Sequence, residues 1–255
     1  MAETVLIFGA SGNIGISAVI GALRAKRNVI AVVRSKASGQ KILDYVGSSE
    51  GITIVEADVT SMESLRGVID RVREGKLPSF QHVFASPGGL YWETPLVDLE
   101  DDQMREIMSV NFESYLHAYR ATVPYLLEKG LPNSTWTLCS GASGDIGLRA
   151  APAITQGAVY SIALTAARDN LETNIRFNEI YLAYRVQLEV DLSDKRQYVG
   201  LKHLQSVRDF APLYEKLLDR TDIKSKRVEA HSPDDVVNLR FKTPFITAFE
   251  EGGDA

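Results

Sequence analysis

The stretch Val5-Leu-Ile-Phe8-Gly9-Ala10-Ser11-Gly12-Asn13-Ile14-Gly15 decides the reading of the whole chain. Four apolar residues of strand character run into three glycines, and a helical pattern follows at once over 13–25. Glycines at this spacing let the chain turn tightly, let the backbone approach a pyrophosphate, and let the helix pack close to the strand. The N–H groups and positive dipole at the helix start then hold the anion. A purely structural tight turn is the competing reading. The position favours a nucleotide, because the turn lies at the first strand-to-helix junction of a chain that goes on alternating strands and helices.

That alternation predicts strands near 4–9, 28–33, 52–56, 81–85, 134–139, 174–181 and 244–247. Helices are expected near 13–25, 38–47, 61–74, 101–129, 153–171, 198–219 and 232–239. Val29-Ile-Ala-Val-Val33 is apolar throughout, as a parallel strand buried on both faces should be. Ser61 and Ser232 stand as N-caps, the latter followed by Pro233 in the first helical turn. The expected fold class is therefore α/β, a Rossmann-type doubly wound parallel sheet of about seven strands flanked by helices. No linker, repeat or low-complexity segment divides residues 1–255, so a single domain is expected. The stretch 185–230 is richer in charge and breaks the rhythm; it reads as an insertion or substrate lid, or else as a solvated helical excursion.

Strand two ends in Val33-Arg34-Ser35-Lys36. An NAD-selective domain would offer an acidic side chain to the ribose 2′-hydroxyl there, and here the charge is reversed. A guanidinium gives planar, bidentate hydrogen bonds to phosphate oxygens, so Arg34 with Ser35 favours NADP(H) over NAD(H).

With these motifs in place, the chain resembles the short-chain dehydrogenase/reductase family over nearly its whole length. Asp58-Val59 is similar to the family's adenine-contacting pair, and Ser86-Pro87-Gly88-Gly89 stands where the family carries Asn-Ala-Gly. Asn111 resembles the helix Asn that supports the family's proton relay, Ser140 its catalytic serine, and Asn178 a structural Asn. The middle glycine departs from the commonest form, falling at Gly12 where that form would place it at Asn13, as in atypical and extended branches. The resemblance implies cofactor contacts from Gly9, Ser11, Gly12, Asn13, Ile14, Gly15, Arg34, Ser35, Asp58, Val59, Ser86, Pro87 and Gly88. It also implies a homodimer or homotetramer formed through the helices at 101–129 and 153–171.

The same resemblance exposes a gap. The family's proton donor is a tyrosine whose pKa a lysine four residues later lowers by its charge, one turn away on the same helix face. Alignment of Ala151-Pro152-Ala-Ile-Thr-Gln156 puts Pro152 at the tyrosine and Gln156 at the lysine. Glutamine can still hydrogen-bond a ribose hydroxyl but carries no charge. Tyr160 is the nearest tyrosine, and its i+4 neighbour is Leu164. Leu182-Ala183-Tyr184-Arg185 replaces the family's Pro-Gly loop, leaving Arg185 either at the mouth of the site for an anionic substrate or turned to solvent. Tyr91 and Trp92 read equally as substrate wall or loop anchors.

Three functions remain open at this stage. The first, which is favoured, is an NADPH-dependent reductase of an acceptor that needs no tyrosine, such as an iminium, or one that takes its proton from Ser140, Asp145, Tyr181 or Tyr184. The second is a redox-neutral cyclase or isomerase using the same pocket. The third is a nonenzymatic NADP(H)-binding regulator similar to the NmrA-type proteins. Composition narrows the rest: 28 basic against 33 acidic residues, net −5, argues against a nucleic-acid surface. One cysteine, Cys139, excludes an intrachain disulfide, and covalent catalysis by it lacks a nearby histidine. The four histidines (His82, His117, His203, His231) show no zinc-ligand spacing. The N-terminal apolar run is too short for a signal peptide, so a cytoplasmic protein with a small-molecule substrate is expected.

Overall fold

The computed structural model describes residues 2–191 and 202–245. Strands β1 (Thr4–Phe8), β2 (Asn28–Val33), β3 (Ile52–Glu56), β4 (His82–Ala85), β5 (Ser134–Gly141) and β6 (Ile175–Leu182) lie close to the expected spans. Together with β9 (Lys226–Ala230) and β10 (Arg240–Lys242) they form one eight-stranded sheet in the order β10-β9-β6-β5-β4-β1-β2-β3. Every pairing is parallel except that of β10 with β9. The order reverses between β1 and β4, which makes that gap the switch point where ligands enter such sheets. Short strands β7 (Arg185–Gln187) and β8 (Leu204–Ser206) pair with each other outside the main sheet.

Helices cover both faces. On one side α1 (Asn13–Arg24), α2 (Lys36–Val46) and α8 (Val207–Asp219) bury Ile16, Val19, Ile42, Phe210, Leu213 and Leu217 against the sheet. On the other, α3 (Met62–Arg73), α5 (Ser114–Lys129) and α7 (Ala150–Asp169) bury Leu65, Tyr115, Leu126 and Val159. Trp136 and Phe177, opposite each other on β5 and β6, stack with ring centroids 5.5 Å apart, an arrangement worth about 1 kcal/mol beyond their burial. Helices α1 and α8 pack so closely that a Cβ on Gly21 would lie 2.8 Å from the Ala211 carbonyl oxygen.

Two expectations need correction. The helix expected over 101–129 is α4 (Asp101–Met108), a π-helical turn over Ser109–Glu113, and then α5. Within the stretch 185–230, α8 belongs to one of the layers that cover the sheet, and β9 pairs with β6. The strand expected at 244–247 is replaced by β10 at Arg240–Lys242; residues 246–247 lie outside the described residues, as do 198–201 of the expected helix. The remaining short helices are α6 (Ser143–Ile146) and α9 (Asp234–Val237). Among the described residues, no helix is long and apolar enough to cross a membrane.

His82 shows how tightly the sheet is closed at its lower edge. Its ring is buried, with Nδ1 3.0 Å from Thr135 Oγ1 and Nε2 3.2 Å from Glu3. Burial pulls its pKa from the ordinary 6.5 down to about 4. The unfolded chain therefore binds this proton at a higher pH than the folded one. Stability is full above pH 6.5 and falls as the pH drops towards 4, by about 3 kcal/mol in all. Urea unfolding of wild type and His82→Gln across that interval should show the wild type losing about 2 kcal/mol more than the variant. Parallel losses would mean that another group carries the effect.

Candidate active site

The glycine turn is built by close backbone approach. Gly9 has φ +72°, and a Cβ there would lie 2.5 Å from the Ser86 carbonyl oxygen, inside contact distance. A Cβ on Gly15 would lie 2.1 Å from the Gly9 carbonyl oxygen. No larger residue fits either position, so the ends of β1 and β4 and the start of α1 come together only with glycine there. Gly12 is the N-cap of α1 and offers no side-chain cap, leaving the first N–H groups of the helix for an anion. Beside this cradle, Ser86 Oγ is buried without a hydrogen-bond partner among the described residues. A reduced or oxidised nicotinamide dinucleotide fits these features: an open cradle for pyrophosphate, an uncapped helix start and an unused buried hydroxyl.

At the end of β2, Arg34 is exposed and makes no hydrogen bond or ion pair among the described residues. Ser35 is the N-cap of α2 and accepts from the Ser38 N–H at 3.3 Å. Asp58 accepts from the Thr60 N–H at 2.9 Å and its hydroxyl at 2.7 Å, and these bonds hold its carboxyl below the usual carboxylate range. Val59 lies beside it, half-buried. Two expected cofactor contacts thus also have structural tasks of their own. Asn13 is a third: its Nδ2 donates to the Val186 carbonyl and to Gln187 Oε1, each at 3.0 Å, tying β7 down onto the helix start next to Ile14. Lys41 donates to the Ser11 carbonyl at 3.0 Å.

Asn111 sits within the π-helical turn, which displaces it inward from the helix register. Its Oδ1 accepts from the Gly89 and Leu90 N–H groups at 3.1 and 3.3 Å, and its Nδ2 donates to the Leu90 carbonyl at 2.8 Å. Gly88, at φ +125°, lies so close that a Cβ would meet Asn111 Oδ1 at 3.1 Å. The loop from Ser86 through Pro87 to Leu90 is therefore fixed from both ends.

Pro152 is buried in the first turn of α7, and Gln156 follows one turn later. Gln156 Oε1 accepts from the Gly141 N–H at 2.7 Å, and the Tyr160 hydroxyl, a further turn on, donates to the Gly141 carbonyl at 2.5 Å. Both side chains hold the end of β5. Burial and the Asp145 carboxylate push the Tyr160 phenol up to about 12. Tyr181 donates to Asp145 Oδ2 at 2.6 Å, and Tyr184 to Gln205 Oε1 at 2.7 Å; burial is the main cause that raises both phenols. Asn178 anchors the approach to β9, donating to the Ile223 carbonyl and accepting from the Lys226 N–H.

Ser140 does not stand free in the crevice. Its hydroxyl donates to Glu179 Oε1 at 2.6 Å, and Glu179 Oε2 accepts from Arg227 Nε at 2.7 Å. Sequence reasoning missed Glu179 and Arg227, although a glutamate within β6 was a signal, since a buried carboxylate requires a partner. Cys139, on the opposite face of β5, is packed in the core, and burial pushes its thiol up to about 12, so no thiolate forms near neutral pH. Tyr91 is exposed and Trp92 half-buried.

The short chain dehydrogenase family model matches residues 3–186. Short-chain dehydrogenase/reductase iacG of Pestalotiopsis fici is 46% identical over 243 residues, which cover 95% of this chain and 97% of that protein. 3beta-hydroxysteroid dehydrogenase 2 of Eggerthella lenta is 24% identical over 188 residues, 70% of this chain and 69% of its own. Among solved structures, ElxO with NADP bound has a TM-score of 0.78 at 16% identity, covering 93% of this chain and 100% of that one. NAD+-bound xylitol dehydrogenase has a TM-score of 0.74 at 19% identity, covering 89% and 96%. The chain belongs to the short-chain dehydrogenase family, a family of oxidoreductases that act on small molecules.

The Asn111 clamp yields a direct test. Asn111→Ala leaves two backbone N–H groups and one carbonyl of the loop without their partner, and should cost about 2 kcal/mol in urea unfolding. A loss below about 0.5 kcal/mol would mean that the loop does not depend on the clamp.

Proposed function

We propose that this chain is an NADP(H)-dependent reductase whose site lacks the tyrosine and lysine of the family's usual proton relay. The observation that supports this reading is the first stretch of α7, which carries Pro152 and Gln156 one turn apart with Gln156 engaged with the Gly141 N–H, at the residues that the sequence alignment sets against the family's tyrosine and lysine. Neither side chain ionises, so neither can give a proton or lower a neighbour's pKa. The acceptor then either carries its own positive charge, as an iminium does, or takes its proton from a group outside that turn. A cationic acceptor becomes neutral on receiving hydride and needs no proton in that step.

The cofactor reading rests on charge. Arg34 would hold the 2′-phosphate, with Ser35 beside it, while the glycines from Gly9 to Gly15 and the α1 N-terminus would hold the pyrophosphate. Asp58 and Val59 would border the adenine, and Ser86, Pro87, Gly88 and Gln156 the nicotinamide half. When bound, such a cofactor supplies hydride; the chain's part is to orient it and exclude water. The solved neighbours, one with NADP and one with NAD+, leave the choice open, and Arg34, exposed and without a partner among the described residues, favours NADP(H). The Pestalotiopsis fici relative, a short-chain dehydrogenase/reductase, supports redox chemistry over a regulatory role.

Two measurements test this. Arg34→Ala should weaken NADPH binding about 30-fold, by about 2 kcal/mol, and leave NADH binding unchanged in titration calorimetry. Equal effects on both cofactors would remove the 2′-phosphate reading. Separately, folded wild type should oxidise NADPH with members of an imine and enone panel; no oxidation with any of them would sink the reductase reading.

A further inference from the structure

Glu179 is a buried titratable group that nothing described so far uses. Its residue is 1% exposed, at the centre of a sheet flanked on both sides by apolar layers. Placing a carboxylate there costs several kcal/mol before pairing. Both oxygens are engaged: Oε1 by the Ser140 hydroxyl at 2.6 Å and Oε2 by Arg227 Nε at 2.7 Å. Arg227 reaches in from β9, its guanidinium carbon 5.1 Å from the Tyr160 ring centroid and 5.2 Å from that of Tyr181, with its side chain 19% exposed. A chain of three polar groups thus runs from the end of β5, beside Gly141, across β6 to the partly exposed Arg227 on β9.

The nearby phenols do not compete for a place in the crevice. Tyr160 is committed to the Gly141 carbonyl, Tyr115 to the Cys139 carbonyl at 2.9 Å, and Tyr184 to Gln205. Tyr181 donates to the exposed Asp145, and its ring faces Arg227 and His231 on the β9 side. Ser140 alone among these hydroxyls is backed by a fully buried carboxyl group.

We propose that Ser140, Glu179 and Arg227 form the proton route of this site, with Ser140 touching the acceptor and Glu179 acting through it as a positioning and relay residue. This rests on the reductase reading above. As a carbonyl carbon takes hydride from a reduced nicotinamide dinucleotide, its C=O π bond breaks and the oxygen takes the Ser140 proton. Ser140 takes the proton of the Glu179 carboxyl, and Glu179, left as carboxylate beside Arg227, regains a proton from water. In the acid form the bond between these two groups reverses, the Glu179 carboxyl donating to Ser140 Oγ, which frees the single Ser140 proton for the acceptor without movement of heavy atoms. Burial raises Glu179 above the usual carboxylate range and so favours the protonated form the relay needs. The groups around it are Arg227 from β9, Asp145 from α6, Tyr160 from α7, Cys139 and Ser140 from β5, and Tyr181 from its own strand; Arg227 favours the carboxylate and Asp145 the acid.

The test uses full-length wild type, Glu179→Gln, Ser140→Ala and the double variant, with phenanthrenequinone and NADPH as the probe. Wild-type kcat should fall as pH rises through the Glu179 pKa, because the acid form is the donor. Glu179→Gln, which keeps an acceptor for Ser140, and Ser140→Ala should each lower kcat about 100-fold and flatten that limb. The double variant should lose no more than either alone. In the cofactor-free protein, infrared spectra should show a protonated carboxyl band that titrates above the ordinary glutamate range and is missing in Glu179→Gln. Wild-type turnover with an unchanged pH profile in Glu179→Gln, or the absence of that band from wild type, overturns the proton route and leaves the reductase reading standing. No wild-type turnover with this probe or with the imine and enone panel overturns both.

Discussion

The contact between Gly9 and the Ser86 carbonyl is the constraint on which the upper edge of the sheet depends. A Cβ at Gly9 would stand 2.5 Å from that oxygen, and one at Gly15 would stand 2.1 Å from the carbonyl of Gly9 itself. Because no side chain intervenes, β1, β4 and α1 meet at backbone distance and leave a shallow cradle of N–H groups. Asn111 then fixes the far end of the same loop through the Gly89 and Leu90 backbone. The crevice floor is thus held by main-chain geometry at one end and one amide side chain at the other.

Charge is distributed around that floor in two different ways. Arg34 lies in water at the rim, where a guanidinium is cheap to keep and available to a phosphate. Glu179 and Arg227 lie inside or half inside, where an ion pair contributes little net stability over an apolar pair of similar size. The buried pair with Ser140 bonded to it is an expensive structural choice, and the proton route proposed above gives that choice a chemical use. The first turns of α7 carry Pro152 and Gln156, and the buried charges beside the end of β5 come from β6 and β9.

The glycine turn from β1 into α1 was legible in the sequence because its determinants are local. Gly9 to Gly15 and the apolar runs of β1 and β2 lie within a few residues of one another and carry their own period and spacing. The cluster of Ser140, Glu179 and Arg227 was not, because it depends on pairs distant in sequence. Glu179 and Arg227 are 48 residues apart. β9 reads Lys-Arg-Val-Glu-Ala, the pattern of a solvated segment, since Arg227 and Glu229 find partners only once the strand is seated between β6 and β10. The π-helical turn at Asn111 leaves no trace in periodicity, as one inserted residue shifts the register without changing the apolar character of 101–129. Ser35, Asp58 and Asn13 were read from sequence as crevice residues, while their caps and the tie to β7 involve backbone atoms that sequence does not reveal.

A crystal structure of the NADPH complex tests the central claim most directly. The expected result places the 2′-phosphate on the Arg34 guanidinium and the nicotinamide C4 facing the Ser140 hydroxyl, with Ser140 still bonded to Glu179. A 2′-phosphate free in solvent, or a nicotinamide ring turned away with Ser140 sealed beneath protein, would contradict it.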